Sequence, residues 1–78
     1  MTEKEFVALL AEALTVDVGR LKDETRFSDV EEWDSVAWLT VIAAVDEKLG
    51  FTMQPSRISH LKTVGELIRY IREECPLE

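Results

Sequence analysis

The residues best placed to do chemistry are Asp34 and Ser35, in the segment Glu32-Trp33-Asp34-Ser35-Val36-Ala37-Trp38-Leu39. This segment sets a serine hydroxyl where an acidic, irregular stretch runs into an apolar one. No charge occurs from Val36 to Val45, and Asp46, Glu47 and Lys48 then lead to Leu49-Gly50. Asp and Ser are good helix N-cap residues, and Gly50 stands where a helix is normally closed. Ser35 is therefore expected on a first helical turn, beside unpaired backbone N–H groups and the positive end of a helix dipole. A hydroxyl in that setting is suited to carry a phosphate. Asp-Ser before a helix is more often only a cap, so the rest of the chain has to decide.

Other chemistries find no matching residues. A calcium loop begun at Asp29 would put Asp34 where glycine is required and Thr40 where a bidentate Glu is required. Zinc is excluded by one Cys and one His. A nucleophilic triad would need Ser35, His60 and a carboxylate to converge, yet Asp34 adjoins Ser35 and is not placed to orient an imidazole. His60 reads as a surface or helix-end residue. The three glycines are isolated, so there is no phosphate-cradling loop. The chain does not read as an enzyme. Its 16 acidic against 9 basic residues, net −7, would be repelled by nucleic acid. Such a charge steers a protein towards basic patches on partners, although solubility alone would also explain it. A lone Cys75, beside Pro76 in an expected frayed tail, makes a disulfide-built secreted domain unlike this one. No apolar run reaches the roughly 20 residues of a membrane span, and the charged first helix is not a signal peptide. The expected compartment is the cytoplasm. No weight rests on Leu77-Glu78.

The elements that must position Ser35 can be read from pattern. Thr2 and Glu5 form a capping box, and Phe6, Leu9, Leu10 and Ala13 recur at helical spacing, which predicts a first helix over 3–14. The stretch Thr15 to Asp34 predicts a long loop, with Val18 and Leu21 as apolar anchors and Phe27, Val30 and Trp33 pinning it to the core. A loop of about 20 residues in a small domain normally has a functional reason. A second helix is predicted over 36–49. At about 100° per residue its core stripe is Trp38, Val41, Ile42, Val45 and Leu49. Val36, Leu39, Thr40, Ala43 and Glu47 fall on the opposite side, which is apolar or small until its last turn. That face is either covered by another helix or is an exposed docking patch, and the small number of helices favours the patch. Phe51 and Met53 return to the core, and Pro55 to His60 form one short helix with Pro in its first turn. Thr63 caps a last helix with Glu66 as capping-box partner and Val64, Leu67, Ile68 and Ile71 as its stripe. The predicted fold is an all-α bundle of three long helices plus one short helix, with the long loop between helices one and two.

Asp34-Ser35-Val36 at the head of the second helix, Phe51-Thr52-Met53, and the Thr63-Val64-Gly65-Glu66 helix start together resemble the acyl carrier proteins. The resemblance runs over nearly the whole chain and implies a single acyl-carrier-like domain over 1–78 with the same helical fold. It implies that Ser35 carries a covalent 4′-phosphopantetheine arm, donated by coenzyme A through a separate Mg²⁺-dependent phosphopantetheinyl transferase. Asp34 would dock the transferase and position the metal-bound donor, and Val36 would pack under the arm or against partners. The arm's thiol would hold acyl groups as thioesters for acyl-loading and acyl-processing enzymes, as in fatty acid or polyketide biosynthesis, on a monomeric carrier. Such a tether raises the local concentration of a bound intermediate.

The chain also departs from the family's pattern. The usual Leu after the serine is Val36, and Ala37, Thr40 and Ala43 stand where many fatty-acid carriers place acids. Arg57 sits in the third helix, where acids are frequent. These departures favour a dedicated pathway over bulk fatty acid synthesis. A partner face of Val36, Leu39, Thr40, Ala43 and Glu47 follows, with Asp29, Glu31, Glu32 and Asp46 completing a charged rim with Glu47. An aminoacyl or peptidyl carrier would share the attachment chemistry, but the Gly-Gly pair common before the serine in such modules is missing. An unmodified helical adaptor using the same face is the other alternative. Of the tryptophans, Trp38 is expected to be buried from its helical phase. Trp33 either covers the base of the arm or anchors the loop, and is expected to matter less for stability.

Overall fold

The structure, a computed structural model, describes residues 2–75. Four helices follow in order: α1 (Glu3–Leu14), α2 (Ser35–Leu49), the short α3 (Pro55–Ile58) and α4 (Val64–Glu74). Pro76, Leu77 and Glu78 lie outside the described residues, so nothing bears on the last two. The fold is the expected all-α bundle, with the long loop between α1 and α2 broken by two 3-10 turns, Val18–Arg20 and Phe27–Asp29.

α1 starts on the predicted capping box. The Thr2 hydroxyl accepts from the Glu5 N–H at 3.1 Å while the Glu5 carboxylate accepts from the Thr2 N–H at 3.1 Å. Its buried side is Phe6, Leu10, Ala11 and Leu14, whereas Leu9 and Ala13 are only partly covered. The core stripe thus lies about one residue round from the expected one. Thr15 closes the helix with φ 58°, in the left-handed region usually taken by glycine, and its N–H donates to the Ala11 and Glu12 carbonyls.

The loop is held by its own apolar residues and by the start of α4. Leu21, Phe27, Val30 and Trp33 are buried, but the expected anchor Val18 is 49% exposed. Val18 sits in a 3-10 turn that leaves only Leu21, just beyond it, facing inward. Backbone bonds tie the loop down: Phe27 N–H to Lys62 O at 3.0 Å, Val64 N–H to Thr25 O at 2.9 Å and Gly65 N–H to Asp23 O at 2.9 Å. Arg26 and Thr63 form an isolated antiparallel bridge between them. These bonds satisfy peptide groups that a free loop would leave to water.

The two tryptophans reverse the expected order. Trp33 is 6% exposed, while Trp38 is only half-buried. Phe27, Trp33 and Trp38 form one cluster, with ring centroids 4.5 to 5.0 Å apart. The helical phase of α2 is as predicted, since Val41 and Val45 are fully buried and Ile42 and Leu49 pack beside them. Trp38, however, lies at the open N-terminal end of the stripe, and the loop brings Trp33 into the space beneath it.

Gly50 ends α2 in the left-handed region at φ 67°, Met53 is buried, and Pro55 opens α3. α4 buries Val64, Leu67, Ile68 and Ile71 as its stripe requires. Thr63 caps it through the Glu66 N–H, but the Glu66 carboxylate accepts from the Lys62 N–H and not from Thr63, so the second half of the expected capping box is displaced by one residue. Cys75 closes α4: its N–H donates to the Ile71 carbonyl at 2.7 Å and its side chain is partly covered.

Gly65 is where α4 meets the loop. A Cβ there would lie 2.8 Å from the Asp23 carbonyl oxygen and 3.3 Å from its Cα. Overpacking of this kind costs about 1–3 kcal/mol, and alanine's better helix propensity returns at most about 1 kcal/mol. Gly65→Ala is therefore expected to lower stability by urea denaturation and to weaken the hydrogen-exchange protection of its own amide. A variant as stable as the parent would mean the loop yields freely at Asp23.

Candidate functional site

Asp34 and Ser35 stand where a tethered loop becomes α2, and each neighbour has a distinct task. Asp34 is the N-cap: its Oδ1 accepts from the Ala37 N–H at 2.8 Å, and its carbonyl accepts from the Trp38 N–H at 3.0 Å. Ser35 is the first helical residue and is exposed. Since Asp34 does the capping, the Ser35 hydroxyl is not spent on the backbone, and no hydrogen bond among the described residues uses it. The Ser35 and Val36 N–H groups are likewise without partners there, which leaves two donors and the positive helix end beside the hydroxyl.

The approach to Ser35 is braced from behind. Arg20 donates both guanidinium arms to Glu32, at 2.9 and 3.1 Å, joining the first 3-10 turn to the residue before Trp33. The hydrogen bonds from Arg20 hold the Glu32 carboxyl below its ordinary range, and Glu32 in turn raises Arg20. The pair is solvent-exposed, so its contribution is geometric more than energetic. Trp33 then locks the chain into the aromatic cluster. The segment reaching Ser35 is fixed at both Glu32 and Trp33.

On the outer face of α2, Val36 and Leu39 are 68% and 67% exposed. Thr40, Ala43 and Glu47 are exposed beside them, so no helix among the described residues covers this face. The Thr40 hydroxyl donates to the Val36 carbonyl at 3.3 Å, so its one polar group turns to the backbone and the face is more apolar than its sequence. Of the rim acids, Glu32 is paired with Arg20 and Asp46 accepts from the Thr52 hydroxyl at 3.0 Å. His60 is exposed in the α3–α4 connection.

One feature was not foreseen in the sequence. A groove of ≈ 290 Å³ opens beside Ser35, walled by Trp38, Leu39 and Ile42 of α2 and by Pro55 and Ile58 of α3. Its walls are almost wholly apolar. The four-residue α3 supplies the far wall, and its contribution cannot be seen from a helical wheel of α2. Among the described residues no three His, Cys, Asp or Glu side chains gather to hold a metal.

Residues 4–71 match the family described as "Phosphopantetheine attachment site". The chain is 34% identical over 70 residues to the acyl carrier protein MbtL of Mycolicibacterium paratuberculosis, covering 90% of this chain and 79% of that protein. It is 28% identical over 74 residues to an acyl carrier protein of Renibacterium salmoninarum, covering 90% of this chain and 91% of that one. With an acyl carrier protein of Helicobacter hepaticus the identity is 30% over 70 residues, 90% of this chain and 92% of that one.

Proposed function

This chain belongs to the phosphopantetheine-binding acyl carrier protein family, and from that premise we propose that Ser35 is the residue to which its arm is attached. The family consists of carriers that catalyse nothing themselves, and a phosphopantetheine-carrying, acyl-carrier-type function follows from membership. The observation that supports Ser35 is its unspent, exposed hydroxyl at the first position of α2, with capping delegated to Asp34. The residues present fit the group: a phosphodiester on Ser35 would lie beside the Ser35 and Val36 N–H donors and the positive helix end. When bound, the arm supplies a thiol that holds an acyl group as a thioester.

The chain's own residues then divide the remaining work. Asp34 Oδ2 has no hydrogen bond among the described residues while Oδ1 caps the helix, which suits it to meet the transferase and its metal-bound donor. Val36, Leu39, Thr40, Ala43 and Glu47 present the partner face. Its apolar centre, in place of a row of acids, supports service in a dedicated pathway. The cargo is an acyl group, a reading favoured over an aminoacyl one by the names of the relatives. We place the protein in the cytoplasm as a monomer, a single carrier domain over 1–78 that binds neither nucleic acid nor membrane. No helix among the described residues is long and apolar enough to cross a bilayer, and a net charge of −7 opposes polyanions.

Intact-mass measurement after incubation with a promiscuous phosphopantetheinyl transferase, Mg²⁺ and coenzyme A tests the attachment. One phosphopantetheinyl increment is expected, on the peptide containing Ser35. No increment with several transferases would overturn the reading.

Recognition by partner enzymes carries a second expectation. Ala43→Glu puts a charge in the middle of the apolar face and should weaken binding at every salt concentration, since docking would leave it desolvated. Glu47→Gln removes a rim charge and should chiefly reduce the salt dependence of association. Binding of both variants to a cognate enzyme at low and high salt decides the point. If Ala43→Glu binds as the parent does while Glu47→Gln loses most affinity, recognition is electrostatic and this face is not the docking surface.

A further inference from the structure

The groove beside Ser35 does not stop at α3. A wider cavity of ≈ 580 Å³ shares Trp38, Ile58 and Ser59 with it and extends to Arg26 and Lys62, where the loop meets the start of α4. The two adjoin at these three residues, and taken together they make a cleft with an apolar section beside Ser35 and a section lined by Arg26, Lys62 and Glu66 beyond Trp38. The backbone holds the two cationic residues together there: Arg26 is bridged to Thr63, and the Phe27 N–H donates to the Lys62 carbonyl at 3.0 Å. Arg20, Arg57 and Arg72 are each in an ion pair with a glutamate. Neither Arg26 nor Lys62 has one among the described residues. Glu66 lines the same wall and keeps its charge while accepting from the Lys62 backbone N–H at 2.9 Å, so the far end of the cleft carries two cations against one carboxylate, in a chain of net charge −7.

We propose that Arg26 and Lys62 form an anion-accepting end to this cleft, so that the chain holds acyl groups with a terminal carboxylate in preference to those ending in a methyl group. The inference rests on Ser35 being the attachment residue. A phosphopantetheine arm has the covalent length of about four peptide units, roughly 15 Å at the usual reach of an extended backbone. An arm laid along the cleft would carry its thioester away from Ser35, past Trp38, in the direction of Arg26 and Lys62. Methylene groups of the cargo are sheltered by Trp38 and Ile58, and a carboxylate beyond them meets Arg26 and Lys62. The pairing is solvent-accessible, so the preference is modest, roughly two- to fivefold in the docked population.

The test compares two cargoes of equal length. Wild-type protein is loaded from hexanoyl- and adipoyl-coenzyme A by the transferase, loading is checked by intact mass, and ¹H–¹⁵N spectra are recorded at low and high salt. Adipoyl protein is expected to show salt-sensitive shifts at the amides of Arg26, Phe27, Lys62 and Thr63 that hexanoyl protein lacks. Arg26→Gln combined with Lys62→Gln should load equally well and lose the adipoyl-specific shifts, its hexanoyl spectrum showing that the fold is retained. Identical shifts for the two cargoes, or adipoyl shifts that survive in the double variant, would overturn the proposal. Normal loading with equal spectra removes only this inference. Failure to load wild type removes the Ser35 assignment and this inference with it.

Discussion

Ser35→Ala is expected to gain no mass with transferase and coenzyme A under conditions that convert the parent completely, while folding as the parent does. The effect on modification is all or none because no other serine shares the setting. Ser28 lies in a 3-10 turn, Ser56 belongs to the four-residue α3, and the Ser59 hydroxyl donates to the Ser56 carbonyl. The fold should be indifferent. Ser35 is exposed and makes no cap bond, the cap being Asp34. Its replacement should change stability by no more than about 0.5 kcal/mol. Asp34→Ala gives the contrast: it removes the bond to the Ala37 N–H and should cost about 1 kcal/mol while leaving the hydroxyl in place. Intact mass and thermal denaturation of the two variants separate attachment from capping. Undiminished mass gain in Ser35→Ala would mean that another hydroxyl carries the arm.

The helices, and the place of Asp34 and Ser35 at the head of α2, could be read from sequence because they are local properties. A capping box at Thr2 and Glu5, a cap at Asp34, a left-handed glycine at Gly50 and a stripe in α4 each depend on neighbours within a turn or two. The membership of the outer face of α2, with Val36, Leu39 and Ala43, followed from helical phase, and its exposure from the small number of helices. What escaped was set either by irregular local geometry or by contacts distant in sequence. The Glu66 carboxylate takes the Lys62 N–H in a segment whose backbone is also bound to Phe27. Val18 is turned outward by a 3-10 turn that no periodicity announces. The groove beside Ser35 needs α3 to be its second wall, and its basic end needs Arg26 and Lys62, 36 positions apart in the chain, to be brought together by the Arg26–Thr63 bridge.

The tryptophans show the same principle in energetic terms, and they carry the largest expected loss of stability. Trp33→Ala should cost about 3–5 kcal/mol, the usual range for deleting a buried large aromatic. Trp33 is 6% exposed and packs on both Phe27 and Trp38. A domain of this size has only some 4–12 kcal/mol in total, at about 0.05–0.15 kcal/mol per residue. Trp38→Ala, at a half-buried position, should cost roughly 1–3 kcal/mol. Helical phase alone ranked them the other way, because a wheel counts only the residues of its own helix and cannot see a loop residue folding beneath it. Trp33 has a further peculiarity: its indole N–H is buried with no hydrogen-bond partner among the described residues. An unmet buried donor carries a penalty of about 1–3 kcal/mol. Trp33→Phe removes that donor while keeping an aromatic ring against Phe27, so the relief should offset much of the lost packing and leave stability within about 1 kcal/mol of the parent. The phenylalanine variant also keeps the comparison informative if Trp33→Ala fails to fold. Chemical denaturation of the three variants orders them: Trp33→Phe near the parent, Trp38→Ala below it, Trp33→Ala lowest. Equal losses for the two alanine variants would mean that the cluster acts as one unit at both positions. A Trp33→Phe loss as large as that of Trp33→Ala would mean that the indole N–H is satisfied after all, through a ring face or bound water.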